Sequence, residues 1–252
     1  MKRVFRTILL NRELKKKMLA VLVDPDKCKA NLLVRTVAAL KTNTPDFIFV
    51  GGSFGSNSTE SLIEILKEET SAQVILFPGN LSQFSKNADA MLFLSLISGR
   101  NPDYLISQQV NAAIAVKSSG IEIIPTGYIL IEGTKQSAVE YISNTKPIPA
   151  DKKDIVLATA TAGELLGMRA IYLEAGSGAE APVPISLVEY LKKNTEIPLI
   201  VGGGIASKEQ MIEAFEAGAD IVVIGTHFED NPHEIPEFVT ALSEYLEKSE
   251  EE

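Results

Sequence analysis

Short, mainly apolar segments alternate with longer segments of helical apolar spacing along most of this chain. Each short run is only four or five residues long, and such runs favour buried parallel strands over helices. The predicted strands are residues 19–23, 47–50, 74–77, 90–94, 121–124, 170–173, 198–201 and 221–224. Eight strands with helices between them predict a closed (β/α)8 TIM barrel rather than an open doubly wound sheet. A chain of 252 residues has the usual length of one barrel, so we expect a single domain over residues 1–252.

The connection between the third and fourth strands breaks this alternation. Only about a dozen residues, PGNLSQFSKNAD, separate the two strands, and a crossover of that length holds a helical turn or two at most. We therefore expect a modified barrel in which the helix after strand three is missing or very short. An apolar ligand fits the strand faces left uncovered there, with Phe77, Phe93 and Tyr104 as candidates for the floor of its channel.

Three further segments lie outside the regular pattern. Residues 12–17 predict a basic helical lead-in, and residues 128–131 form an extra apolar piece just past the fifth strand. Residues 135–153 are polar with helical fragments, which indicates an insertion or an interface. Tyr141 within this segment is a candidate contact in a homo-oligomer, because an exposed aromatic residue with apolar neighbours is typical of an interface.

Glycine-rich turns follow the last two predicted strands. Gly202, Gly203 and Gly204 come directly after strand seven, and Gly225 with Thr226 comes directly after strand eight. Turns without Cβ atoms let backbone N–H groups approach an anion, and TIM barrels bind phosphate at this pair of strand ends. The simpler alternative is that the glycines only permit tight left-handed turns. Two such turns on consecutive strands favour the phosphate site.

The composition is that of an ordinary globular protein, with 45% hydrophobic and 23% charged residues and no apolar run long enough to span a membrane. The apolar stretch near the amino terminus, residues 7–10, is too short for a signal-peptide core. The single cysteine, Cys28, can form no internal disulfide, which predicts a cytoplasmic protein. A net charge of −9 argues against nucleic acid as a partner. The chain ends in an acidic tail, residues 247–252, which we expect to be frayed after a helix over residues 235–246.

The residues at the predicted strand ends are rich in oxygen and poor in histidine. Only two histidines occur in the chain, so a zinc hydrolase of the common type and a Ser/His/Asp or Cys/His acyl enzyme are excluded. What remains is a hard-cation site of carboxylate and hydroxyl groups with one candidate base. Residues 176–181 also fit the GxGxxA pattern of a dinucleotide fold, but Pro182 and Pro184 fall where that fold needs the first turns of a helix.

The segments that follow these strands resemble a known family. The strings YLEAGSG at residues 172–178, VGGGI at 201–205, GT at 225–226 and VDPDK at 23–27 are similar to those of geranylgeranylglyceryl phosphate synthases. The resemblance covers nearly the whole chain, and YLEAGSG is far more specific than a glycine turn alone. It implies a modified (β/α)8 barrel without its third helix. It also implies a Mg²⁺-dependent transferase of alkyl groups, which joins geranylgeranyl diphosphate to the 3-hydroxyl of sn-glycerol 1-phosphate in archaeal-type ether lipid synthesis.

The resemblance implies roles for individual residues. Mg²⁺ would be held by Asp24 and Ser53, and Glu174 would be the base that takes the proton of the glycerol hydroxyl, with Tyr172 as its catalytic neighbour. The residues implied to bind glycerol phosphate are Tyr172, Leu173, Glu174, Ala175, Gly176, Ser177, Gly178, Gly203, Gly204, Gly225 and Thr226. Without the resemblance, the favoured interpretation is a helix cap for Asp24 and a turn hydroxyl for Ser53. The alternative for Glu174 is an exposed strand-end carboxylate, but a charged side chain directly after AIYL is costly unless it faces a hydrated site.

One position departs from the family pattern. Some members carry a lysine two residues before the metal aspartate, where this chain has Leu22. One expected phosphate contact is therefore missing, which points to the other branch of the family. Lys27 and Arg100 are the candidates to replace it.

Two other functions share the phosphate site. A phosphosugar isomerase or synthase would use an acid and base pair such as Asp24 and Glu174, and it would need no apolar channel. A non-catalytic scaffold would need neither carboxylate. The resemblance favours prenyl transfer, so the expected partners are sn-glycerol 1-phosphate, a prenyl diphosphate and, through the lipid product, the surface of a membrane. Mg²⁺ dependence together with binding of a long prenyl diphosphate distinguishes this function from the phosphosugar alternative.

Overall fold

The computed structural model describes residues 3–52, 59–80 and 83–251. Its strands form a closed parallel barrel in which each strand pairs with its neighbours in the chain and the last pairs with the first. The strands are β1 Met18–Val23, β2 Phe47–Val50, β3 Gln73–Leu76, β4 Ala90–Leu96, β5 Glu122–Leu130, β6 Ala170–Glu174, β7 Leu199–Gly202 and β8 Ile221–Ile224. The predicted (β/α)8 TIM barrel is confirmed.

Helices lie between the strands and at both ends of the described chain. The α-helices are α1 Arg3–Glu13, α2 Ala30–Thr42, α3 Glu60–Glu69, α4 Gln108–Ser119, α5 Ala138–Ser143, α6 Lys153–Leu165, α7 Ile185–Lys192, α8 Lys208–Glu216, α9 Thr226–Asp230 and α10 Ile235–Glu251. A π-helical turn, Asp103–Ser107, precedes α4, and a 3-10 turn, Pro232–Glu234, precedes α10. The segment between α5 and α6 contributes a single bridge to the end of β5, Ile131↔Ile148.

Side chains on each strand alternate between two hydrophobic clusters, as the two-residue repeat of a strand requires. An inner cluster fills the barrel and includes Met18 and Ala20 of β1. An outer cluster lies between the strands and the helices, and it includes Leu19 and Val21 together with Leu40 of α2. Full burial of such an aliphatic side chain contributes about 1.5–3 kcal/mol, so this two-sided burial holds the strands in a fixed register.

The connection between β3 and β4 has no covering α-helix among its described residues, 77–80 and 83–89. The prediction of a missing or very short helix is therefore confirmed. The two strands pair over only two residues, beginning at Ile75↔Ala90, whereas β4 and β5 pair over seven.

α1 closes the amino end of the barrel, and it differs from the helical lead-in predicted over residues 12–17. Its Val4 and Ile8 lie one turn apart and join the inner cluster. The buried carboxylate of Glu122 accepts hydrogen bonds from the backbone N–H groups of Val4 (2.9 Å) and Phe5 (3.2 Å). A carboxylate at this position satisfies N–H groups that have no partner inside the helix. The local pattern could not predict this cap because the residue that supplies it is 118 positions away.

β5 is one continuous strand, although the sequence predicted a strand over residues 121–124 and a separate apolar piece over 128–131. Pro125 lies inside it, because the fixed φ of proline is compatible with an extended chain and its carbonyl still accepts a backbone hydrogen bond of 2.7 Å. The continuous strand brings Tyr128 beside Tyr172 of β6 in the ladder. That pairing contributes directly to the site described below.

α10 continues to Glu251, five residues beyond the helix predicted over residues 235–246. The segment after Pro236 contains no glycine or proline that would stop the helix, and Lys248 in the last turn interacts favourably with the helix dipole. In the part of the chain that the structure describes, no helix combines the length and the apolar character needed to cross a bilayer.

Candidate active site

A cavity of about 480 Å³ opens at the carboxyl end of the barrel. The predicted site residues that line it are Asp24, Tyr172, Glu174, Ser177, Gly178, Gly203, Gly204, Gly225 and Thr226. Leu173 and Ala175 instead pack in the outer cluster, so only their backbone groups face the strand ends. Gly176 takes part through its N–H, which donates to Glu174. Ser53 lies outside the described residues.

Asp24 stands immediately after β1 with its carboxylate at the cavity. Its Oδ1 accepts a hydrogen bond from the Asp26 N–H at 2.9 Å, and a Cβ atom added at Gly52 would lie 2.6 Å from its Oδ2. Burial raises the pKa of the Asp24 carboxyl, while the Asp26 N–H and the nearby Lys27 oppose that rise. A partly desolvated carboxylate of this kind is stabilised by a bound cation.

The donor set at Asp24 fits Mg²⁺ and does not fit a closed zinc site. Within the described ranges, no three or more His, Cys, Asp or Glu side chains are grouped so that they could hold a metal ion. Mg²⁺ binds through one or two carboxylates and keeps water and substrate phosphate as its other ligands. Asp24 beside the small Gly52 leaves room for such a partly hydrated ion.

Glu174 is the last residue of β6 and points toward the barrel axis together with Tyr172, two positions earlier. Its side chain is buried, and its Oε1 accepts a 2.7 Å hydrogen bond from the Gly176 N–H. Oε1 also occupies the space that a Cβ atom would need at Gly203. The turns after β6 and β7 therefore fix the carboxylate from two sides.

The surroundings of Glu174 set its proton affinity near neutrality. Burial raises the pKa of Glu174 to about 7, opposed by hydrogen bonds from the Gly176 N–H and from the hydroxyls of Tyr172 and Tyr128. Burial also raises the pKa of both tyrosines well above the usual value, so both hydroxyls remain protonated donors. A carboxylate with a pKa close to the working pH can accept a proton in a reaction and release it afterwards.

Three aromatic rings form a wall beside this carboxylate. The ring centroids of Phe77 and Tyr172 are 5.0 Å apart, and those of Tyr128 and Tyr172 are 5.3 Å apart. Tyr172 lies against the neighbouring strand β7, where its hydroxyl fills the space that a Cβ atom would take at Gly202. Aromatic faces carry partial negative charge and attract a nearby cation.

A second, mainly apolar cavity of about 90 Å³ adjoins the first and shares Gly52, Phe77, Tyr128 and Val139 with it. It lies over the ends of β3, β4 and β5, with α5 opposite. Its other lining residues are Pro78, Gly79, Leu94, Leu96, Tyr104, Gln108, Gln109 and Ile142. Two of the predicted channel residues, Phe77 and Tyr104, thus line this cavity, whereas Phe93 packs against the outer cluster.

Glycines of the turns after β7 and β8 line the cavity. Gly203 and Gly204 adopt left-handed conformations, with φ of 83° and 73°, which favour glycine. A Cβ atom at Gly204 would meet the backbone of Ala181, so the turn after β7 packs directly on the loop after β6. Ser177 and Thr226 join that loop to the end of β8 through their hydroxyl oxygens, 3.3 Å apart. These turns present donors without intervening side chains, as an anion site requires.

Sequence reasoning did not assign a role to several residues at the cavity. Tyr128 was predicted to lie at the end of the fifth strand, in an apolar piece, but without a role, because its register beside Tyr172 depends on the unbroken β5. His227 and Glu229 of α9 also line the cavity, and His227 Nε2 lies 2.8 Å from a carboxylate oxygen of Glu234. Their spacing along the chain carries no motif that could have indicated them.

The closed barrel, the glycine turns after β7 and β8 and the buried carboxylate after β6 define a phosphate-binding TIM-barrel enzyme. The chain belongs to the PcrB family, whose model matches residues 11–242. It is 48% identical to a geranylgeranylglyceryl phosphate synthase from Flavobacterium johnsoniae over 231 residues, which are 91% of this chain and 95% of that protein. It is 45% identical to a protein of the same name from Korarchaeum cryptofilum over 220 residues, 87% of this chain and 90% of that one.

Solved structures of known proteins also resemble this chain. A (S)-3-O-geranylgeranylglyceryl phosphate synthase from Thermoplasma acidophilum, in complex with its substrate sn-glycerol-1-phosphate, matches with a TM-score of 0.88 and 32% identity, over 97% of this chain and 100% of that one. An N-acetylmannosamine-6-phosphate 2-epimerase from Clostridium perfringens matches with a TM-score of 0.55 and 16% identity, over 85% of this chain and 89% of that one. The second likeness shows the barrel fold alone.

Proposed function

We propose that this protein transfers the geranylgeranyl group of geranylgeranyl diphosphate to the 3-hydroxyl of sn-glycerol 1-phosphate, forming an ether and releasing diphosphate. The observation that carries the proposal is the position of Glu174, a buried carboxylate with a pKa of about 7 in a glycine-lined cavity that adjoins a smaller, mainly apolar one. The glycine-lined cavity suits glycerol phosphate, and the apolar one suits the start of a prenyl chain. The names of the relatives support the same reaction.

In the proposed reaction, Glu174 accepts the proton of the glycerol 3-hydroxyl while the hydroxyl oxygen forms a bond to the first prenyl carbon. The bond from that carbon to the diphosphate oxygen breaks, and its electron pair leaves with diphosphate. Positive charge that develops on the allylic carbon faces the rings of Phe77, Tyr128 and Tyr172, which stabilise a cation. Tyr172 also donates its hydroxyl hydrogen to Glu174 and keeps the carboxylate oriented.

Mg²⁺ is the proposed cofactor, with Asp24 and Ser53 as its protein ligands. The raised pKa of Asp24 and the small Gly52 beside it support this choice. When bound, the ion neutralises charge on the diphosphate leaving group. Asp24 would hold the ion with its carboxylate, which the Asp26 N–H keeps oriented through Oδ1.

The phosphate of sn-glycerol 1-phosphate is proposed to bind the backbone N–H groups of Gly203, Gly204 and Gly225 and the hydroxyls of Ser177 and Thr226. All five residues line the cavity, and the Ser177 and Thr226 hydroxyl oxygens are 3.3 Å apart, which supports this assignment. The residues 173, 175, 176 and 178 contribute backbone groups that shape the loop around the glycerol. Leu173 and Ala175 have no side-chain role at the substrate in this proposal, because both pack outward.

Association into a homo-oligomer is proposed on the basis of an exposed apolar face. Ile106, Val110 and Ile114 follow one another at four-residue intervals and are 57%, 63% and 76% exposed, and Tyr141 of α5 is 76% exposed. Such a surface is typical of an interface. Light scattering during gel filtration would reveal the oligomer, and a monomer at all concentrations would contradict it.

We further propose a cytoplasmic enzyme, supported by the buried free thiol of Cys28, that contacts membranes only through its lipid product.

The phosphosugar alternative is not favoured. Its supporting likeness is limited to the barrel fold, and the apolar cavity beside Tyr128 has no purpose for a small sugar phosphate. The relatives that match along most of the chain carry the prenyltransferase name.

An assay with both glycerol phosphate enantiomers tests the proposed function. Purified protein would be incubated with geranylgeranyl diphosphate and either sn-glycerol 1-phosphate or sn-glycerol 3-phosphate, with and without Mg²⁺, and the products analysed by mass. We expect a prenyl ether from the first enantiomer only, dependent on Mg²⁺. If neither alcohol is prenylated by diphosphates of any chain length, the proposal is wrong.

A further inference from the structure

The proposed substrates carry phosphate groups, yet among the described residues that line the main cavity, Asp and Glu side chains outnumber Lys and His side chains. These lining residues are Asp24, Lys27, Glu174, His227, Glu229 and Asp230. Among the described lining residues, Lys27 is the one lysine or arginine side chain. Backbone N–H groups supply only partial charges, so a full positive charge in the lining of the main cavity has a large effect on anion binding.

The Lys27 ammonium is held at the seam between β1 and β8. Its Nζ lies 2.8 Å from Oε2 and 3.1 Å from Oε1 of Glu229. Glu229 belongs to α9, which starts at Thr226, the residue proposed to bind the substrate phosphate. The Lys27 side chain is 48% exposed and that of Glu229 is 20% exposed, so the ammonium can reach a ligand in the cavity while keeping one contact to the carboxylate.

The other candidates for this charge are excluded by their positions. Leu22 also lies beside the end of β8, since a Cβ atom added at Gly225 would be 3.2 Å from the Leu22 Cβ. The Leu22 side chain is apolar and carries no charge. The Arg100 guanidinium donates to the backbone carbonyls of Gly99 (2.7 Å) and Ile97 (3.3 Å) and is directed at its own loop. Lys27 is therefore the side chain placed to replace the missing phosphate contact.

We propose that Lys27 contacts the phosphate of the glycerol phosphate substrate, and that Glu229 holds the ammonium in position for that contact. The inference rests on the proposed function for the identity of the substrate. It assigns Lys27 to the phosphomonoester rather than to the prenyl diphosphate, because Glu229 fixes the ammonium beside the turn at Gly225 and Thr226.

Calorimetric titration of sn-glycerol 1-phosphate into the ligand-free protein measures this contact without turnover. Lys27→Met should weaken binding about tenfold, the loss expected for one charge-assisted hydrogen bond. Unchanged affinity would overturn the proposal. Titration of inorganic diphosphate with Mg²⁺ forms the second arm, in which Lys27→Met should stay within about twofold of the wild type. A loss confined to the diphosphate arm would also overturn it.

A charge-neutral double variant separates a direct contact from a general field. Lys27→Met combined with Glu229→Gln removes one positive and one negative charge, so the net charge of the cavity stays that of the wild type. We expect the double variant to remain about tenfold weaker for sn-glycerol 1-phosphate, because the ammonium donor is still absent. Recovery of wild-type affinity would mean that net charge alone matters and would contradict a direct contact.

Lys208→Met is the matched control. Lys208 forms a similar exposed ion pair with Glu237, at 2.9 Å, away from the main cavity, and its loss should leave the affinity unchanged. An equal loss in this control would overturn the assignment to Lys27. Failure of the proposed function can be distinguished from failure of the Lys27 proposal. A wild type that binds sn-glycerol 1-phosphate but forms no ether would refute prenyl transfer, and the binding comparison would still decide the role of Lys27. A wild type that does not bind this compound would refute both.

Discussion

Burial of the Glu174 carboxylate lowers the stability of the folded protein above neutral pH. Burial raises its pKa from 4.5 to about 7 in the folded state. The folded protein therefore binds more protons than the unfolded chain between these values, and stability is lost as the pH rises through about 7. A shift of this size corresponds to about 3 kcal/mol, which is a large part of the stability of a typical domain. A carboxylate held at that cost is typical of a functional site.

Glu174→Gln should reduce turnover at least about a hundredfold, because the neutral amide cannot accept the hydroxyl proton. The affinity for sn-glycerol 1-phosphate should change little, since the amide oxygen can still accept the Gly176 N–H. Steady-state kinetics and calorimetry check the two quantities separately. Thermal unfolding serves as the folding control, with the variant expected to be more stable than the wild type at pH 8. Wild-type turnover in this variant would remove Glu174 from the mechanism.

The pH dependence of kcat/KM should show the effect of the Tyr128 and Tyr172 hydroxyls on the pKa of Glu174. In the wild type, kcat/KM should rise with pH through about 7 as Glu174 loses its proton. Tyr128→Phe keeps the ring but removes a hydroxyl that stabilises the ionised carboxylate, so the pKa of Glu174 and the acidic limb should move to higher pH. Tyr172→Phe should act in the same direction. An acidic limb that stays in place in both variants would show that the hydroxyls do not act on Glu174.

At the scale of elements, the turns after β6 and β7 form one unit. A Cβ atom at Gly203 would overlap Oε1 of Glu174 and lie 2.8 Å from the Gly176 nitrogen. Gly203 also has a φ of 83°, which side chains other than glycine rarely adopt. The sequence predicted these glycines as a phosphate site, and the structure adds that the same glycine positions the proposed base.

Gly203→Ala should therefore lower both the affinity for glycerol phosphate and the turnover, because it displaces the carboxylate and the N–H donors together. Gly120→Ala is the matched control: its φ is 73°, but a Cβ atom there would have nothing within 4 Å. The control should lose about 1 kcal/mol of stability through backbone strain and keep full activity. Equal activity losses in the two variants would indicate strain rather than a specific role.

The continuity of β5 shows what local patterns can and cannot predict. The eight strands could be located from apolar runs because each is buried on both faces. Tyr128 was missed as part of β5 because Pro125 and Gly127 look like a strand end, and only the neighbouring strands decide that the ladder continues. The burial of Glu174 between two tyrosines likewise depends on that register, so its raised pKa was not predictable from the string YLEAGSG.

At the scale of the whole molecule, the two ends of the barrel have different tasks. The carboxyl end carries the cavities, whereas the amino end is closed by α1 and the buried Glu122. The fold as a whole was predictable from alternating strands and helices, including the shortened connection after β3. The closure by α1 was not, because its cap and its apolar partners are distant in the chain.

Glu122→Ala should destabilise the protein by about 2–3 kcal/mol, because it leaves the N–H groups of Val4 and Phe5 without their acceptor. Denaturant unfolding measures this change. Glu122→Gln retains one acceptor oxygen and should lose less. Turnover of the folded fraction should match the wild type in both variants, since Glu122 lies at the end of the barrel opposite the cavity. A stability equal to the wild type in Glu122→Ala would show that α1 does not depend on this cap.

The central claim is that the 3-hydroxyl oxygen of sn-glycerol 1-phosphate displaces diphosphate from the prenyl carbon. The most direct measurement uses sn-glycerol 1-phosphate labelled with ¹⁸O at that hydroxyl, together with geranylgeranyl diphosphate and Mg²⁺, and follows the label by mass spectrometry. The account predicts that the label is retained in the ether product and is absent from the released diphosphate. An unlabelled lipid product, label in the diphosphate, or no ether at all would contradict it.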